Sequence, residues 1–181
     1  MSFLVSCATT EPLTNFFMLT GSGSRAGRIE SSGGTPVLVR VEVPAYLART
    51  NLVTMRGGIE VQYAATARWA EPVDQSLARA VAEDLSRNSR IRAYGFSPGA
   101  PPVAHSYDVW IRLERFEGND NGQVVLRARW SVSTSDSSAP ITSGTADVRR
   151  SGWHPGDYPG LVRLLSEEVS EMSPQIAQAI P

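Results

Sequence analysis

Few side chains in this chain could do covalent or metal chemistry. Among 181 residues there is one cysteine, Cys7, and there are two histidines, His105 and His154. Both histidines sit in Pro/Gly-rich stretches, and a zinc site needs more ligands at regular spacing. No G-x-S-x-G follows a strand pattern, so a nucleophile elbow is not encoded. A hydrolase built on His105 or His154 is the weakest of the readings considered. Cys7 stands differently, because it closes the stretch Leu4-Val5-Ser6-Cys7. A leucine, two small or modest residues and a cysteine form the lipobox pattern of bacterial lipoproteins. Small residues before the cysteine let the lipidated segment fit its signal peptidase. The chemistry expected at Cys7 is therefore lipidation, with no metal and no cofactor.

The surrounding residues suit that chemistry in part. A single cysteine excludes an internal disulfide. Residues 1–6 carry no positive charge and no full apolar core, so they read as the remnant of a longer signal peptide. Residues 7–15 read as the lipidated cysteine and a small, polar tether, and residues 16–181 as the folded domain. The tether spans roughly 25 Å if extended. No stretch reaches the ~18 apolar residues of a membrane-spanning helix. The chain as written is expected to be soluble, with Cys7 unmodified.

Composition narrows the class. The chain is 41% hydrophobic and 19% charged. That is enough apolar material for a core and too little charge for disorder. All 17 basic residues are Arg, and they are scattered, so no positive face for nucleic acid is legible.

The elements follow from periodicity. Phe16–Leu19 reads as a short first strand and 21–34 as a Gly/Ser-rich loop. Pro36–Val43 is a strand stopped by Pro44, after which Pro44–Leu47 suits a helical turn. Asn51–Arg56 and Ile59–Tyr63 flank Gly57-Gly58, a hairpin signal. Val73, Leu77, Val81 and Leu85 recur every four residues and predict an amphipathic helix over about 72–88. Ile91–Tyr94 is a short strand. Residues 106–117, 124–132 and 141–149 alternate and form an antiparallel meander. A bulge is expected near Arg115, where Phe116 breaks the parity. Asp157 is a fitting N-cap, with Pro159 in the first turn. The Leu161, Leu165, Val169, Met172, Ile176 stripe predicts a second helix over 158–180. That helix is expected to restart or kink at Pro174, with Ser173 as a further cap. The fold class is α+β: a mainly antiparallel sheet packed by two amphipathic helices in one compact domain.

From residue 39 the sequence resembles the ABC-type transport auxiliary lipoprotein family. The resemblance is carried by Val43-Pro44-Ala45-Tyr46-Leu47, Leu52-Val53-Thr54 and Arg68-Trp69-Ala70-Glu71-Pro72. Phe116-Glu117-Gly118, Val125–Trp130 and Ser173–Ile180 add to it. It implies a lipid-anchored protein on the periplasmic face of the outer membrane, in an intermembrane lipid transport system. Its partners would be an MCE-domain protein and inner-membrane transporter components, and some family members assemble into homo-oligomeric rings. The family is non-enzymatic and carries no cofactor. Ala8, where an Asp favours inner-membrane retention in enteric bacteria, leans the same way. Tyr46, Arg68 and Trp69 are the candidate partner-binding or structural motif, with Trp69 expected in or near the core. The alternative is a periplasmic lipid-binding module that holds an acyl chain between sheet and helices.

Overall fold

The computed structural model describes residues 13–22 and 33–181. Cys7, residues 1–6, most of the tether and most of the 21–34 loop lie outside the described residues. Within the described residues, eight strands and two helices follow one another. Their order is β1 (Asn15–Phe17), β2 (Thr35–Glu42), β3 (Asn51–Arg56), β4 (Glu60–Trp69), α1 (Val73–Leu85), β5 (Ile91–Gly95), β6 (Tyr107–Asn119), β7 (Gln123–Thr134), β8 (Thr142–Ser151) and α2 (Tyr158–Ala179). The α+β class holds, and the meander β6–β7–β8 is present. The sheet is mixed, however. Antiparallel pairs β3/β4, β6/β7 and β7/β8 are joined by parallel pairs β1/β4, β2/β5, β2/β6 and β3/β6. Alternation reveals a strand but not its distant neighbour, and the parallel pairs all join strands separated in the chain.

The long strand β6 organises the sheet. β7 covers one edge of it from Tyr107 to Gly118. β2 and β3 share the other edge, β2 against Tyr107–Arg112 and β3 against Gly118 and Asn119. Between them the chain turns at Pro44, whose carbonyl accepts from the Leu47 and Ala48 N–H groups (2.9 and 3.2 Å). The register shifts between Leu113 and Arg115, where the broken parity placed a bulge. The shift returns Phe116 to the face that carries Ile111 and Leu113 and sends Glu117 to the opposite face.

Both helices pack on one face, α1 over β2 and β5, α2 over β7 and β8, and they touch each other. Leu77, Val81 and Leu85 of α1 and Leu161, Leu165, Val169, Met172 and Ile176 of α2 are buried, as their spacing requires. Each such side chain contributes about 1.5–3 kcal/mol on burial. α1 ends at Leu85 with its apolar stripe, short of the expected 88. The Arg87 and Asn88 N–H groups bond three residues back, in tighter turns. Asp157 caps α2 through Oδ1, which accepts from the Gly160 N–H at 3.0 Å. α2 does not restart at Pro174, and Ser173 is no cap. The Ser173 hydroxyl donates to the Val169 carbonyl at 2.8 Å inside a continuous helix. Pro174 lies on the exposed side, while Met172, Ser173 and Ile176 stay buried. Packing therefore carries the helix past one missing N–H.

In the β3–β4 hairpin Gly57 and Gly58 take φ of 57° and 76°, as the Gly-Gly pair foretold. β4 then runs beyond Tyr63 to Trp69, past an irregularity opposite Leu52. Gly118 is needed for closeness instead. A Cβ there would stand 2.7 Å from the Trp153 ring and 3.0 Å from Leu161. Gly118→Ala is expected to destabilise the fold by about 1–3 kcal/mol through this overpacking, read from the urea unfolding midpoint at unchanged m-value.

Candidate functional site

Among the described residues, the N-terminal segment is fastened at 15–17 and again at 19–22. β1 pairs in parallel with the end of β4, Asn15 to Phe17 beside Ala67 to Trp69. Residues 19–22 then cross the two helices. The Leu19 N–H donates to Ser76 Oγ (3.2 Å), and its carbonyl accepts from Arg79 Nη2 (2.9 Å). The Thr20 N–H reaches Ser166 Oγ on α2 (3.2 Å), and the Gly21 N–H reaches Glu83 (3.3 Å). Ser22 closes the strap, its N–H and hydroxyl donating to Asp84 Oδ1 at 2.7 and 2.6 Å. The Arg79 guanidinium is held between Glu71 (2.7 Å) and Glu83 (3.0 Å). Burial opposes its charge, but the two carboxylates outweigh that and raise its pKa. Sequence periodicity did not find this strap. Its only sign was Asp84, an acid beside the apolar stripe of α1.

Tyr46 and Trp69 meet on β6 from opposite faces. Trp69, 6% exposed, stacks on Phe116 with centroids 6.3 Å apart and planes 20° apart, a favourable aromatic pairing. The half-buried Tyr46 hydroxyl donates to the Glu114 carbonyl (3.1 Å) and Glu117 Oε2 (3.0 Å). Burial, and then the Glu117 carboxylate, hold that phenol well above its usual pKa. Glu117 is fully buried and takes further bonds from Arg115 Nε (2.6 Å) and the Phe116 N–H (2.8 Å). Arg68 points the other way. It is exposed, and its Cα partner on β1 is Phe16. The three motif residues are thus not one surface: two face inward and one faces solvent.

The remaining chemistry is scattered. His105 bridges the Val103 carbonyl (2.8 Å) and Asp108 (3.2 Å), while His154 is exposed in the loop before α2. Among the described residues no cluster of His, Cys, Asp and Glu could hold a metal. Side chains fill the layer between sheet and helices where the alternative reading would place an acyl chain. Arg40 lies on the open face of the sheet between the Phe96 and Trp110 rings (4.4 Å and 5.6 Å) and bonds Asp108 (3.1 Å). The ring faces attract its cation. Glu168 is a fully buried carboxyl on α2. Neither of its oxygens makes a well-formed hydrogen bond, the backbone N–H of Arg150 being the nearby donor. Burial, with Glu171 and Glu117 nearby, pushes its pKa up to about 8 against the pull of Arg150. Arg150 itself pairs with Glu171 (2.7 Å) and, more loosely, with Glu167 (3.7 Å).

Comparison with known proteins matches this geometry to relatives. A family model described as ABC-type transport auxiliary lipoprotein component matches residues 17–177. The chain is 25% identical over 130 residues to intermembrane transport lipoprotein PqiC of Escherichia coli (strain K12), covering 71% of this chain and 67% of that one. The same protein from Shigella flexneri matches equally. Two solved structures share the fold. One is an uncharacterized protein (19% identity, TM-score 0.74, 94% of this chain and all of that one). The other is protein XCC0632 from Xanthomonas campestris (13% identity, TM-score 0.71, 91% and 93%).

Two outcomes follow from the buried polar groups. Tyr46→Phe leaves Glu117 with one donor fewer and should lower stability by about 1–3 kcal/mol in urea unfolding. Glu168 has a folded pKa above its unfolded value of 4.5. The stability it allows at low pH is therefore lost as pH rises from 4.5 through about 8. The wild type should weaken across that window by up to about 1.4 kcal/mol per pH unit, and Glu168→Gln should flatten the fall.

Proposed function

Because the chain belongs to the ABC-type transport auxiliary lipoprotein component family, we propose that it is a lipid-anchored docking component of an intermembrane lipid transport system. The family is one of transport components, not of enzymes. The match over residues 17–177 carries the proposal, and the lipobox Leu4–Cys7 extends it to the anchor. In this reading Cys7 is acylated, and one acyl chain alone holds a membrane only marginally whereas two or more hold it stably. In the same reading residues 1–6 precede the processing site, and residues 7–15 are the acylated cysteine and its tether. The domain stands at the periplasmic face of the outer membrane. There it receives or positions an MCE-domain protein working with inner-membrane transporter components, either singly or as a ring of copies.

The physical support is the strap. A tether pulls on whatever it joins, and here it joins a strand and then both helices through residues 19–22. Force or orientation imposed at the anchor therefore reaches the rigid part of the domain. Since Tyr46 and Trp69 are turned inward, a partner would meet other residues, among them those of the open sheet face around Trp110.

Cells given a palmitate analogue should label the natural protein and not its Cys7→Ala form, and equal labelling of both would remove the anchor. Pull-down from solubilised membranes should recover an MCE-domain protein by mass spectrometry. Recovery of none would remove the docking role.

A further inference from the structure

Large apolar side chains left in water close together mark a contact surface. Leu13, Phe16 and Met18 are 87%, 64% and 48% exposed. They fall within six consecutive residues, and no other stretch of that length among the described residues has three exposed large apolar side chains. The exposure is built in. Phe17 packs on the core and Leu19 is fully buried, so the period of two along the segment holds Phe16 and Met18 outward. The bonds of Leu19 to Ser76 and Arg79 then prevent the segment from rolling over.

The position of this segment selects its partner. Five residues separate Cys7 from Leu13, so Leu13 lies at most roughly 20 Å from the cysteine. An acylated cysteine sits at the membrane interface, which keeps all three side chains within reach of the bilayer. The exposed Arg68, opposite Phe16 on the neighbouring strand, adds a cation suited to headgroup phosphates. We infer that Leu13, Phe16 and Met18 form a second, non-covalent membrane contact. Their side chains enter the interfacial layer of a phospholipid bilayer beside Cys7, with Arg68 at headgroup level. This rests on the lipid-anchor reading and adds an orientation to it: the β1 edge of the sheet faces the membrane.

The unique thiol allows a direct test. Cys7 of the full chain is coupled to a maleimide-headgroup lipid in phosphatidylethanolamine–phosphatidylglycerol vesicles. Phe16→Trp places an indole in the contact, and Ile141→Trp places one at an exposed site beside the start of β8, a strand that does not pair with β1. With brominated acyl chains, the emission added by Phe16→Trp should fall at least about twofold, as for a ring in the interfacial layer, and that added by Ile141→Trp should not change. No quenching at position 16, or equal quenching at both positions, overturns the contact. Unquenched emission together with self-association in sedimentation would give the patch to a second copy of the chain instead. In cells, Leu13→Ser/Phe16→Ser/Met18→Ser should take up the palmitate label as the wild type does. Absence of label from the wild type counts against the anchor alone, because the vesicles supply their lipid chemically.

Discussion

Three consecutive residues near the end of β6 hold the molecule from three directions. Phe116 takes the Trp69 ring where β4 ends, just before α1. Glu117 takes the Tyr46 hydroxyl from the β2–β3 connection. Gly118 leaves room for the Trp153 ring, whose Nε1–H donates to the Asp157 carbonyl (2.8 Å) at the cap of α2. The bulge between Leu113 and Arg115 makes this arrangement available. A regular strand would place Arg115 and Glu117 under the helices and turn Phe116 away from them. The same region is where β3 replaces β2 along the β6 edge, so sheet, connection and helix all depend on one local irregularity.

Two buried glutamates show how partners decide the effect of a charge. Glu117 has no exposed surface but receives an arginine, a phenol and a backbone N–H. Its position is fixed and its carboxylate is satisfied. Glu168 is as fully buried with no well-formed hydrogen bond to its oxygens, and burial keeps its proton on far above the ordinary carboxylate range. The first pins the loop that carries Tyr46 to the strand. The second makes the seat of α2 on β8 sensitive to pH between the ordinary carboxylate range and about 8.

The N-terminal strap joins the fold to the proposed role. Residues 19–22 occupy Ser76, Glu83 and Asp84 on α1 and Ser166 on α2, so the N-terminal segment ends bonded to both helices. A flexible tether on a frayed terminus would leave orientation free. In the proposed role, a tether that ends on a buried leucine, with phenylalanine and methionine held outward beside it, would give the molecule a membrane-facing side.

Much of this was legible from residue order, because periodicity is a local property. The two helices, the hairpin at Gly57-Gly58, the meander, the Asp157 cap and the bulge near Arg115 all follow from spacing within one segment or its neighbour. The residues of the resemblance, Tyr46, Trp69 and Phe116-Glu117-Gly118, could be read as a set, but not why they belong together. Pro174 misled, because burial of Met172 and Ile176 overrides one absent N–H and no local rule shows burial. Only the tertiary structure decided the parallel pairs that make the sheet mixed, the convergence of Tyr46 and Trp69 on β6, the strap over the helices and the burial of Glu168. Each depends on contacts between residues tens of positions apart, whose free energy comes from burial and from partners that one segment of sequence cannot contain.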